Sequence, residues 1–213
     1  VVKDCPEFFF LFWGAIKAGV IPVPLNTMLR TKDFDYIIQD SECAGLVYSL
    51  EFGTEVEVAF ARCSWRPRVF LPLEGGDRAL ASRARDASPE LQAVPACATE
   101  DCFWLYSSGT TGLPKGVVHA HGDMVVTCQH FIDTTLGADE DDVFFSVPRL
   151  FFSYGMGVAM NAPLWAGATA ILDDRRPTPQ IVTEIFRRSA PTVFAAVPTF
   201  YAGLRASGVL AKN

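Results

Sequence analysis

Three short apolar runs, at 143–147, 168–172 and 193–197, begin 25 residues apart and are separated by helix-sized segments. That rhythm constrains the chain more than any other feature. Each run is too short for a helix and too uniformly apolar for a strand with one wet face, so it reads as a strand covered on both sides. Parallel strands need a long crossover, and about twenty intervening residues suit one helix each. The expected fold class is α/β, with parallel-sheet layers and helices between them.

The first half repeats the alternation. Asp4-Cys5-Pro6-Glu7 reads as a capping box with proline in the first turn of an apolar helix, which Gly19 closes before a short strand at 20–25. A second helix is expected from Thr31, with Phe34, Ile37 and Ile38 on one face, followed by a strand near 46–48. Another helix and a strand at 69–73 follow, then "EGGDRALASRARDASPE", an exposed loop by composition. Beyond a glycine-rich stretch, a strand is expected at 115–118, a helix at about 123–135, and an acidic turn, "GADEDD". That turn is the candidate seam between a first sheet layer, 1–137, and the start of a second, 138–213.

Composition excludes several classes. Half of the 213 residues are hydrophobic, which argues against general disorder, and a net charge of −6 offers no basic face to nucleic acid or an anionic membrane. Residues 150–172 carry no charge, but Pro163 and Ala166-Gly167 divide them into a buried helix, a turn and a buried strand, so they read as core and not as a membrane span. The six cysteines show neither a C-x-x-C pair nor a histidine at ligand spacing; reduced thiols in a cytoplasmic protein are the expectation. The chain opens "VVKDCPEFFF", with no secretory signal, and reads as cut from something longer.

The chemistry concentrates in "SSGTTGLPKG", residues 107–116, just after the apolar 103–106. Glycines let backbone N–H groups converge on an anion, hydroxyls add donors and a lysine adds charge, so the stretch suits a phosphate cradle; it also suits a surface linker. It is not a Walker A loop, because Gly112 is followed by Leu113-Pro114-Lys115-Gly116 and no Ser or Thr follows the lysine. Nor is it a dinucleotide fingerprint, since its glycines do not lead from a strand directly into a helix.

"YSSGTTGLPKGVVHAH", residues 106–121, resembles the signature loop of the adenylate-forming enzymes: acyl-CoA synthetases, luciferases and the adenylation domains of peptide synthetases. The resemblance implies a loop that wraps the β- and γ-phosphates of ATP. Ser107, Ser108, Thr110 and Thr111 would supply hydroxyls, Gly109 and Gly112 mobility, and Lys115 catalytic charge toward pyrophosphate. It extends to "PEFFFLFWGAIKAGVIPVPLN" near the start and "RPTPQIVTEIFRRSAPTVFAAVPTFYAGL" near the end. "FWLYSSGTTGLPKG" with "RLFFSYGMG" is most similar to benzoate and hydroxybenzoate CoA ligases. There the aromatic of the second motif lines the acid pocket, which assigns substrate binding to Tyr154 with Ser153 and Gly155. Ser153 departs from the small alanine usual at its position. "FFSYG" is expected at the end of a buried strand, and an ordinary core aromatic is the plain alternative for Tyr154.

The implied reaction is AMP-forming ligation of a small aromatic carboxylic acid to coenzyme A through an acyl adenylate, with ATP and Mg²⁺. Two alternatives stand beside it: an adenylation domain that loads a carrier protein, and a noncatalytic phosphate-binding module. Three family features are not found in the chain: the Tyr-Gly-x-Thr-Glu type segment, the ribose-binding aspartate and the C-terminal domain with its lysine. The chain is therefore expected to be part of a large N-terminal domain and inactive alone. His119 and His121 alternate on the expected strand and could share a face, but no third metal ligand is recognisable. His121 matches a family histidine beside the loop, for which positioning or packing is expected.

Overall fold

The computed structural model describes residues 1–107 and 112–209. They form two compact units. The first comprises Val1–Lys3 and Phe10–His119; the second comprises Asp4–Phe9 and the described residues from Ala120 onward.

In the first unit α1 (Pro6–Lys17, its opening residues counted with the second) ends at Gly19, whose φ of +71° is the left-handed conformation expected of a helix-closing glycine. The strand expected at 20–25 does not form a ladder. Pro22 and Pro24 lack the N–H that a ladder needs, and the Pro22 carbonyl accepts a hydrogen bond from the Trp104 backbone N–H at 3.1 Å. Next come α2 (Thr31–Ser41), β1 (Gly45–Tyr48), a 3₁₀ turn (Leu50–Phe52), α3 (Gly53–Arg62) and β2 (Val69–Pro72). β1 and β2 pair in parallel, Gly45 opposite Val69 and Tyr48 opposite Pro72. Phe34, Ile37 and Ile38 all point inward from α2, as their spacing predicts, into a cluster with Leu46, Val56 and Ala59. Glu55 of α3 caps α2 by accepting from the Thr31 N–H at 2.7 Å and from the Thr31 hydroxyl; these bonds hold its carboxyl below the usual range. One short helix, α4 (Leu80–Ala84), interrupts the stretch expected as loop. β3 (Asp101–Ser107) and β4 (Lys115–Ala120) then pair with each other.

The second unit is built on a parallel sheet. α5 (His121–Thr127) runs into a π-wound turn (Cys128–Leu136) that Gly137 ends at φ +62°. It begins two residues earlier than expected, because Asp123 accepts from Ala120 N–H at 3.2 Å and closes its first turn. After β5 (Val143–Ser146) comes one helical run: α6 (Ser153–Met156), a π-wound segment (Gly157–Asn161) and α7 (Ala162–Ala166). Gly167, at φ +74°, turns the chain into β6 (Thr169–Ile171), followed by α8 (Pro179–Ser189), β7 (Val193–Ala195) and α9 (Pro198–Ala206). The strand order is β6-β5-β7, all parallel, with Phe144 opposite Ala170 and Val193.

Alternation along β5 sends neighbouring rings to opposite faces. Phe144 packs with Cys128, Ile132, Val158 and Ala162, while Phe145 packs with Val182 and Ile185. The sheet is thus covered on both faces, as its uniformly apolar strands require. Because Cys128 and Ile132 belong to this core, the helix after the glycine loop joins the second unit, and the chain changes unit at His119/Ala120. The division expected at 137/138 lies inside that unit. No helix among the described residues is long and apolar enough to cross a membrane.

Candidate active site

The phosphate-side candidates lie in the chain between β3 and β4. Cys102, Phe103 and Leu105 are buried, whereas Ser107 ends β3 exposed. Ser108, Gly109, Thr110 and Thr111 lie outside the described residues. The chain returns at Gly112, whose φ of +90° few other residues adopt, and continues through exposed Leu113 to Lys115, which opens β4 exposed to solvent.

The base of this loop is well anchored. A Cβ at Gly116 would touch the Tyr106 ring at 3.4 Å and the Trp104 ring at 3.6 Å, so the two aromatics of β3 lie against the β4 backbone where it leaves the loop. The Tyr106 hydroxyl donates to Asp40 Oδ2 of α2 at 2.6 Å, and burial followed by this bond pushes the phenol upward, keeping it protonated as a donor. Sequence reasoning missed this tie, because nothing local links residues 66 positions apart.

His119 stacks on Phe103, rings 4.6 Å apart and 10° from parallel, and Phe12 meets Phe103 edge-on at 5.5 Å. The strand ends at Ala120 and His121 starts α5, so the alternation that would put both imidazoles on one strand face does not extend to His121. Among the described residues no group of three His, Cys, Asp or Glu side chains is placed to hold a metal ion.

The acid-side candidates belong to the other unit, and their segment is not the strand end expected of "FFSYG". β5 stops at Ser146, ahead of Pro148; the chain turns through buried Leu150 and Phe151, and Ser153 starts a helix. Pro148 cannot donate to a ladder, and Phe152, extended at φ −95° and ψ 144°, serves as the N-cap residue. Tyr154 is therefore 45 % exposed on the first helical turn, and Ser153 is exposed as well. The core-aromatic reading of Tyr154 does not describe this arrangement. Phe152, Val197 and Tyr201 are other partly exposed apolar or aromatic residues of this unit. Burial and then Tyr154 push the Tyr201 phenol upward. Gly155 is buried, and a Cβ there would overlap the carbonyl oxygens of Arg149 and Pro148, so only glycine fits this turn.

The family model for AMP-binding enzymes matches residues 1–213. The chain belongs to the AMP-binding enzyme family. Curated relatives of this AMP-binding chain include the benzoate–CoA ligase of Thauera aromatica, 39 % identical over 97 % of the chain and 39 % of the relative. The 4-hydroxybenzoate–CoA/benzoate–CoA ligase of Rhodopseudomonas palustris is also 39 % identical, over 97 % of the chain and 38 % of the relative. Among solved structures, a benzoate CoA ligase from Burkholderia xenovorans LB400 superposes with a TM-score of 0.89 at 33 % identity, covering 98 % of this chain and 41 % of that one. An anthranilate CoA ligase in complex with anthranoyl-AMP gives 0.88 at 30 % identity, over 95 % and 40 %. The α/β fold is that of these ligases. The chain spans about two fifths of the length of the curated relatives it matches.

Proposed function

We propose that this chain belongs to an enzyme of its relatives' length that joins a benzoate-like acid to coenzyme A, forming AMP. The observation that carries the reading is the 39 % identity with benzoate and hydroxybenzoate CoA ligases over 97 % of the chain. The likeness to a ligase crystallised with an aromatic acyl adenylate supports it.

The chemistry follows from the inertness of a carboxylate, whose leaving group would be oxide. Attack of a carboxylate oxygen on the α-phosphorus of ATP expels pyrophosphate and yields a mixed anhydride. The CoA thiol then attacks the acyl carbon and AMP leaves. Charge grows on the departing pyrophosphate, so the protein contributes mainly positioned donors and cations. In this reading Ser107, Ser108, Thr110 and Thr111 offer hydroxyls to the β- and γ-phosphates, Gly109 and Gly112 let the backbone approach them, and Lys115 meets the charge of pyrophosphate. Tyr154 presents its ring to the aromatic acid, beside Ser153 and Gly155. The described residues do not fit a protein-built Mg²⁺ site. In this reading Mg²⁺ enters with ATP as part of the substrate.

The test uses the full-length enzyme. Benzoate-dependent exchange of labelled pyrophosphate into ATP, followed by benzoyl-CoA formation when CoA is added, is the expected result. Exchange that needs a fatty acid, or transfer only to a carrier-protein thiol, overturns the reading.

A further inference from the structure

Arg149, which opens "RLFFSYGMG" but has no role assigned there, gathers four groups around one guanidinium. Its Nη1 donates to the Asp173 carbonyl at 2.6 Å, and its Nη2 donates to the carbonyls of Asp174 at 3.2 Å and Arg175 at 2.6 Å. Nη1 also stands 3.5 Å from Asp4 Oδ2, and the other Asp4 oxygen accepts from Leu150 N–H at 3.2 Å. The arginine side chain is one-fifth exposed and that of Asp4 one-tenth, so solvent screens the pair little. Asp173 is itself braced, since Arg175 Nη2 bonds its carboxylate at 2.7 Å while Arg175 Nη1 reaches Glu184 of α8 at 3.1 Å.

The other end of Arg149 bears on the acid side of the site. Its carbonyl accepts from Phe152 N–H at 3.0 Å, closing the turn before α6, and Gly155 packs directly on the carbonyls of Arg149 and Pro148. Tyr154 sits between those two contacts. We propose that Arg149 is a positioning residue for aromatic-acid selection: its guanidinium fixes the 148–150 backbone, and that backbone, through Phe152 and Gly155, sets where the Tyr154 ring stands. The inference rests on the aromatic-acid reading above. A planar fork suits the task, because two nitrogens on separate sides serve three carbonyls and a carboxylate, which a single ammonium cannot span.

Arg149→Lys and Arg149→Met are compared with the wild type and Tyr154→Ala in the full-length enzyme, with thermal unfolding as the check on folding. Wild-type pyrophosphate exchange with benzoate is measured first; its absence sinks the aromatic-acid reading, and this inference with it. Where the wild type is active, Arg149→Met is expected to raise the KM for benzoate about tenfold, a loss typical of a misplaced apolar contact, with the KM for ATP changed less than about twofold. Arg149→Lys should show the same split at about threefold, and it decides the matter if the methionine variant does not fold. Because Arg149 is argued to act through Tyr154, the discrimination between benzoate and bulkier acids in Arg149→Met/Tyr154→Ala should match that of Tyr154→Ala alone. Equal rises in both KM values, an unmoved KM for benzoate in Arg149→Lys, or additive effects in the double variant overturn the proposal.

Discussion

Lys115 stands exposed where β4 begins, just past the left-handed Gly112. In the proposed reaction a cation there meets charge only while pyrophosphate is present. In the full-length enzyme Lys115→Ala should therefore slow acid-dependent pyrophosphate exchange about 10²-fold or more, the usual scale for losing one positioned donor, while a pre-formed benzoyl adenylate still reacts with CoA at near-normal rate. Rapid-quench measurement of the two half-reactions checks this, and equal losses in both remove Lys115 from the phosphate side. Tyr154 makes a different prediction, because its ring is partly exposed on a helical turn and not locked in a core. Tyr154→Ala should weaken benzoate-like acids about tenfold and admit bulkier ones, leaving the KM for ATP little changed. Within this chain the Ser153 hydroxyl is exposed and free to bond water, so it makes no demand for a partner on a substituted ring. Ser153→Ala should shift the ranking of benzoate against its hydroxy and amino derivatives by less than about threefold.

At the scale of elements, the segment 173–175 that holds Arg149 can be probed by pH. The Arg175 side chain first, and its backbone N–H after burial is counted, hold the Asp173 carboxyl below its ordinary value of 3.8. A depressed carboxyl contributes stability above the unfolded value and loses it as pH falls through the folded one. Asp173→Asn should accordingly lower the Tm at pH 7, with the gap to wild type closing below about pH 3.8; a gap independent of pH would show that the ion pair is not its source. What the sequence revealed of these elements followed periodicity. The inward face of α2 and the three parallel strands were legible because their apolar spacing matches 3.6 residues per turn or a doubly covered strand. The segment 20–25 misled because its apolar residues look like a strand while its prolines withhold the donors. "FFSYG" misled for a related reason: an apolar run suggests β structure, but the constraint at Gly155 is a carbonyl contact that only three dimensions reveal. The anchors Tyr106–Asp40 and Arg149–Asp4 span 66 and 145 positions and have no local signal.

Taken whole, the chain is two compact units, one carrying the β3–β4 loop and the other the Tyr154 turn. In the proposed reaction the loop addresses the distal phosphates of ATP and the turn addresses the acid. Charge also develops at the α-phosphorus, and binding ATP well needs contacts to the adenine and ribose that raise affinity without being consumed in the chemistry. The described residues bring no acidic cluster together for a cation, and the chain spans about two fifths of its relatives' length. The 213-residue chain on its own, supplied with ATP, Mg²⁺, benzoate and CoA, is therefore expected to form benzoyl-CoA at least about 10³-fold more slowly than the full-length enzyme, with weak ATP binding. Circular dichroism comes first, so that a folded chain and not an aggregate is assayed. Chromatography of the thioester and calorimetry with ATP then give the two readouts. Turnover within tenfold of the full-length enzyme would mean that the loop and the Tyr154 turn suffice for catalysis, and the division of labour argued from charge at the α-phosphorus would have to be abandoned.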